Sequence, residues 1–162
     1  VPAATRAILE KSTLGRALLD WFSSWPVALS SRRPVENSHV WIEVAQGCLT
    51  FHSDYCFAAG AEMTAQLVAH EVGHFLAVPQ ERLLVPNLGL SRFVPGGIDK
   101  DNPLSFPLTP DKLAEEARVC AHQVTLSAYL ANVHIAKRAL SYTLDETLGE
   151  WMRRMDVVRG SV

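Results

Sequence analysis

Apolar positions recur along this chain at spacings that separate helices from strands. Between residues 3 and 22, Ala7, Leu14, Leu18, Trp21 and Phe22 stand at near-helical spacing, and Gly15 with the Ser12-Thr13 pair divides the run into two shorter helices. Pro26 and Arg33-Pro34 mark a connecting loop. Residues 40–45 and 48–52 are rich in β-branched and aromatic side chains around a Gln46-Gly47 pair, which predicts a β-hairpin. From Glu62 to Val78 no proline interrupts the chain and apolar residues surround the helical axis, as in a helix buried on most sides.

Residues 79–110 break this regularity. They hold six of the nine prolines together with Gly89, Gly96 and Gly97, so regular structure there should be short or absent. Thr109-Pro110-Asp111 supplies an N-cap, a proline at the first helical position and an early acid, which opens a long helix to about Arg138. Thr143 paired with Glu146 matches a capping box and starts a last helix that runs to about Met155. Together these elements predict one α+β domain over residues 1–162, mainly helical, with a small β-hairpin or sheet beside the helix of residues 62–78.

Composition narrows the function. The chain is 48% hydrophobic and 20% charged, which excludes a disordered tail, and no apolar run is long enough to span a bilayer. A formal net charge of −2 gives no electrostatic pull toward nucleic acid or an anionic membrane surface. Cys48, Cys56 and Cys120 are odd in number and contain no CxxC pair, so neither a disulfide framework nor a thiolate zinc site is expected. An intracellular, cytoplasmic setting follows as the expectation.

The chemistry concentrates in His70-Glu71-Val72-Gly73-His74, an HExxH pattern inside a predicted helix. Positions i and i+4 share a helical face, so the two imidazoles converge on one cation, and Glu71 stands about 100° round the axis, within reach of a metal-bound water. Three polar groups on a buried helix need a compensating partner, which a divalent metal supplies. Gly73, in mid-helix, predicts that another backbone packs closely there.

A third ligand must come from elsewhere. On the helix opening at residue 111, Leu113, Ala117, Cys120, Val124 and Ala131 form one apolar strip, and Val119, Leu126, Leu130 and Val133 a second. Glu116, Gln123, Ser127 and His134 lie between the strips, Glu115 falls at the solvent edge, and Arg118, His122, Thr125 and Asn132 mark the solvent side. Glu116 is therefore expected as the third ligand in preference to Glu115, the competing reading being an ion pair with Arg82 or Arg92. His134 lies roughly 27 Å farther along the helix and reads as a core histidine.

This pattern resembles the zincin superfamily of metallopeptidases, in the gluzincin arrangement where a glutamate on a later helix joins HExxH. Glu116-Ala117-Arg118-Val119-Cys120-Ala121 is similar to the glutamate helix of ImmA/IrrE-type peptidases. The stretch HEVGHFLAVPQERLLVPNLGL, His70 to Leu90, also resembles the metal-binding segment of elongation factor P hydroxylase through Phe75, Arg82, Asn87 and Gly89. The first resemblance implies a zincin-like fold holding Zn2+; the second implies Fe2+ and hydroxylation of a modified lysine.

Three functions remain. In a zinc peptidase acting on a peptide or protein substrate, Glu71 is the general base, residues 40–52 offer an edge strand, residues 79–110 form a lid or groove wall, and His52, Tyr55, His122 and Tyr142 are candidate oxyanion partners. In an iron oxygenase, two histidines and a carboxylate leave positions open for oxygen and substrate. In a metal-stabilised regulatory or binding domain, Glu71 has no chemical role.

Overall fold

The computed structural model describes residues 2–30, 40–45, 47–53, 56–84, 110–131 and 141–161. The chain begins with two short helices, α1 (Pro2–Leu9) and α2 (Thr13–Phe22). The break between them falls at residues 10–12, with Ser12 as N-cap: its Oγ accepts from the Gly15 N–H at 2.7 Å, so Gly15 sits inside α2 and is not the breaker. Leu14, Leu18, Leu19 and Phe22 give α2 its buried face.

Three strands follow: β1 (Val27–Ser30), β2 (Val40–Ala45) and β3 (Cys48–Ser53), in the sheet order β1-β3-β2. The expected hairpin is present, with β2 antiparallel to β3 and Ile42 opposite Phe51. β1 replaces part of the expected loop. It pairs parallel to β3, with Val27 opposite Leu49. Its four residues follow Pro26 and none is fully buried, so no alternation of apolar and polar positions announces it. Only the neighbouring strand makes it a strand.

The central helix, α3 (Cys56–Ala77), packs against α1, α2, β2, β3 and, among the described residues, two later helices. It begins earlier than residue 62 because two helical pieces meet at Gly60, whose φ of 78° and ψ of 171° belong to glycine rather than to a helix. Residues 71–76 are buried without interruption, so α3 is covered on all sides there, as its apolar sequence requires. A short 3-10 turn, Gln80–Arg82, follows; the lid or groove wall expected from the rest of residues 79–110 lies outside the described residues.

Helix α4 (Pro110–Leu130) ends before Arg138, and His134 lies outside the described residues. Its buried arc is turned roughly 90° from the expected one, at about 100° per residue. Lys112, Glu115, Val119, Thr125 and Leu126 are buried, whereas Leu113 and Val124 are 53% and 64% exposed. The strip of Leu113, Ala117, Cys120 and Val124 thus faces outward, and Glu115, expected at the solvent edge, is inside. Periodicity gives the angle between residues on one helix; which way the helix turns depends on its neighbours, here α2, α3 and the last helix.

Helix α5 (Ser141–Arg159) starts before Thr143 and runs a turn beyond Met155, so Thr143 is not its cap. Trp151, Met155 and Val158 are fully buried, and burial of Val158 carries the helix past the expected end. Trp151 packs on Trp21 and Phe75 with ring centroids 4.4 and 5.3 Å apart. Arg154 is buried and donates to the carbonyls of Phe75, at 2.8 Å, and of Val78, while pairing with Glu150. It thereby satisfies carbonyls that the end of α3 leaves open and fixes the end of the HExxH helix. Among the described residues no helix is long and apolar enough to cross a membrane.

Candidate metal centre

One turn of α3 carries the first half of the centre. His70 and His74 stand four residues apart with ring centroids 4.8 Å apart and planes at 87°. Ligand-capable atoms of His70, Glu71 and His74 all lie within 4.8 Å of one another. Glu71 and His74 are buried, while the His70 side chain is 26% exposed, so the centre opens toward solvent on the His70 side.

The second half comes from α4. Gly73 is where the helices touch: a Cβ built there would stand 2.6 Å from the carbonyl oxygen of Val119, a backbone atom. This close approach, expected from the mid-helix glycine, carries Glu116 of α4 to the imidazoles. Its Oε2 lies 3.5 Å from His70 Nε2 and its Oε1 3.8 Å from His74 Nε2. The acid that meets both imidazoles is thus Glu116, although it sits at the rim of the buried arc and Glu115 is the more deeply buried carboxylate.

Gln123, about two turns beyond Glu116 on α4, fixes the His70 ring. Its Nε2 donates to Gln66 O at 3.2 Å and to Gln66 Oε1 at 2.9 Å, which turns Oε1 toward His70 Nδ1 at 3.0 Å. Nδ1 then carries a hydrogen, which turns Nε2 toward a carboxylate oxygen of Glu116. In the metal-free chain a proton on Nε2 spans the 3.5 Å to Oε2; a divalent ion in the proton's place would meet a lone pair on each atom. Two donors on a tetrahedral ion, each at about 2.1 Å, stand roughly 3.4 Å apart, so the separations of 3.5 and 3.8 Å fit one divalent ion. Within the same centre, His74 Nδ1 is buried with no partner among the described residues.

The electrostatics suit such an ion. Burial pushes His74 down to about 4, so its imidazole is neutral and can offer a lone pair. The His70 contact first, with the Lys112 hydrogen bond also contributing, holds Glu116 down to about 2 against its partial burial. His70 is raised, chiefly by Glu116. Burial lifts Glu71 up to about 8.

Lys112 and Gln66 were not singled out by the sequence pattern. Lys112 Nζ donates to Glu116 Oε1 at 2.6 Å, an i,i+4 pair that helix spacing alone could have suggested. Gln66 stands one turn before His70 on α3 and also accepts from Ser127 Oγ at 3.4 Å. Of the oxyanion candidates, the side chains of His52, Tyr55 and Tyr142 lie outside the described residues, as do Arg82's side chain and Arg92. His122 is lowered by burial and then by Arg154, and the other charges acting on it are Glu150 and Arg118. Nothing in that set belongs to the centre.

Removing the amide that orients His70 should weaken the site without dismantling it. Gln123→Leu is expected to lower divalent-ion affinity by about 10- to 100-fold, the usual cost of losing such an outer partner. A chelator-competition titration checks this, and unchanged affinity would show that the ring needs no such orientation. Compared with known protein families, curated proteins and solved structures, the chain matches none.

Proposed function

We propose that this chain is a zincin-like, metal-dependent hydrolase that cleaves peptide bonds. One observation carries the reading: Glu71, buried, stands within 4.8 Å of two imidazoles that face the carboxylate of Glu116 across 3.5 and 3.8 Å. His70, His74 and Glu116 would hold the ion. When bound, zinc supplies Lewis acidity toward a carbonyl oxygen and a lower pKa for its water.

The chain's own groups do the rest. Glu71 takes a proton on its carboxylate and later gives it to the leaving amine; burial favours the protonated form in the metal-free chain, and the positive charge of a bound ion would restore the carboxylate that a base requires. His70 is held in register by Gln123 and Gln66. β2, an edge of the described sheet packed against α3, offers backbone groups to an extended peptide. The same three ligands would suit Fe2+ and oxygenase chemistry, but in that chemistry Glu71 has no proton to move, and its enclosure beside the imidazoles favours hydrolysis.

The test is metal content together with activity. The full chain, purified without added metal, is expected to carry one zinc per chain and to cleave an unstructured peptide, losing that activity to a chelator and regaining it with zinc. Iron with oxygen consumption and no peptide cleavage would replace this reading with the oxygenase.

A further inference from the structure

Lys112 brings a second cation to the carboxylate that faces the imidazoles. It stands one turn before Glu116 on the same face of α4, and its side chain is 10% exposed. Its ammonium group lies 2.6 Å from Oε1 of Glu116, and that oxygen is the one nearest His74 Nε2, at 3.8 Å. Oε2, the other oxygen, faces His70 at 3.5 Å. A divalent ion drawn between the imidazoles and Glu116 therefore meets a carboxylate with one oxygen already paired, and meets a fixed positive charge beside it.

From this we infer that Lys112 is a positioning residue that sets the affinity of the centre for its ion. In the metal-free chain it pairs with Glu116 Oε1, and it yields that oxygen when a divalent cation binds. The inference rests on His70, His74 and Glu116 being the ligands. Its physical basis is charge: repulsion between an ammonium group and a divalent ion is strong in a partly desolvated site, so deleting the ammonium favours the ion whether the lysine moves aside or stays. A lysine with a merely structural role would act in the opposite direction, because its loss would loosen Glu116 and weaken binding.

The experiment is a Zn2+ titration of the full chain against a chromophoric chelator at neutral pH, for the parent, Lys112→Met, Lys112→Gln, Lys112→Arg and His74→Ala. The two neutral variants are expected to bind Zn2+ at least about tenfold more tightly than the parent, while Lys112→Arg, which keeps the charge, stays close to the parent value. Using two neutral variants keeps the measurement decisive if one fails to fold. Equal or weaker binding by the neutral variants, or Lys112→Arg binding as tightly as they do, overturns the inference. Undiminished Zn2+ binding by His74→Ala overturns the metal centre and the inference with it, whereas loss in His74→Ala without the Lys112 effect overturns the inference alone.

Discussion

Glu71→Gln is expected to fold, to keep its metal and to lose peptide hydrolysis by a factor on the order of 10² to 10⁴, the range for removing a positioned proton acceptor. The amide preserves the shape of the side chain but cannot take a proton at neutral pH. Activity within a few fold of the parent would remove the hydrolase mechanism. A second readout does not depend on activity. In the metal-free chain Glu71 is raised from 4.5 to about 8, so between those values the folded state holds a proton that the unfolded state has released. Its contribution to stability is complete below about 4.5 and is lost as pH rises through about 8.

His74, lowered from 6.5 to about 4, has the opposite sign and its effect is complete above about 6.5. From pH 6.5 to 8 the metal-free parent should therefore lose stability, with His70, also raised, acting in the same direction. The Gln variant should show a flatter profile over that window. Identical profiles would mean that Glu71 is not held protonated by its surroundings.

Gly73→Ala is expected to destabilise the fold by about 3 kcal/mol, at the upper end of overpacking costs, although alanine gains about 1 kcal/mol over glycine in a helix interior. The new methyl group would stand 2.6 Å from Val119 O and 2.9 Å from Val119 Cγ1. A side chain can rotate away, but the carbonyl belongs to the middle of α4, so relief requires the helices to part. Parting carries Glu116, three residues earlier on the same helix, away from His70 and His74. Denaturant midpoints and Zn2+ affinity should thus fall together. Parent-like stability would mean that α3 and α4 are not in backbone contact at this point.

Much of the secondary structure was legible because it is written in local pattern. The all-round apolar surface of α3, the two strand-like runs flanking a Gly-containing turn, and the helix start at Pro110-Asp111 each need only neighbouring residues to act, while the expected cap at Thr109 lies outside the described residues. So does half of the site: His70, Glu71 and His74 are placed by helical geometry alone once residues 62–78 are helical. β1 was not legible, since four residues after a proline, none of them buried, become a strand only beside β3. The cap expected at Thr143 failed for a related reason, because packing of Trp151, Met155 and Val158 governs where α5 runs.

Glu116 is the instructive residue. The sequence pointed to it from an apolar arc whose centre the fold moves, and depth of burial would have chosen Glu115, which is 1% exposed. What brings Glu116 to the imidazoles is the crossing of α4 over Gly73, and the sequence held only one half of that contact, the missing side chain. Helical repeat fixes the angles between residues on one cylinder, so the sequence by itself determined that His70 and His74 share a face. The rotation of α4, its partner residues Lys112 and Gln123, and the distances between the two halves depend on how separate helices pack, and only the tertiary structure decided them.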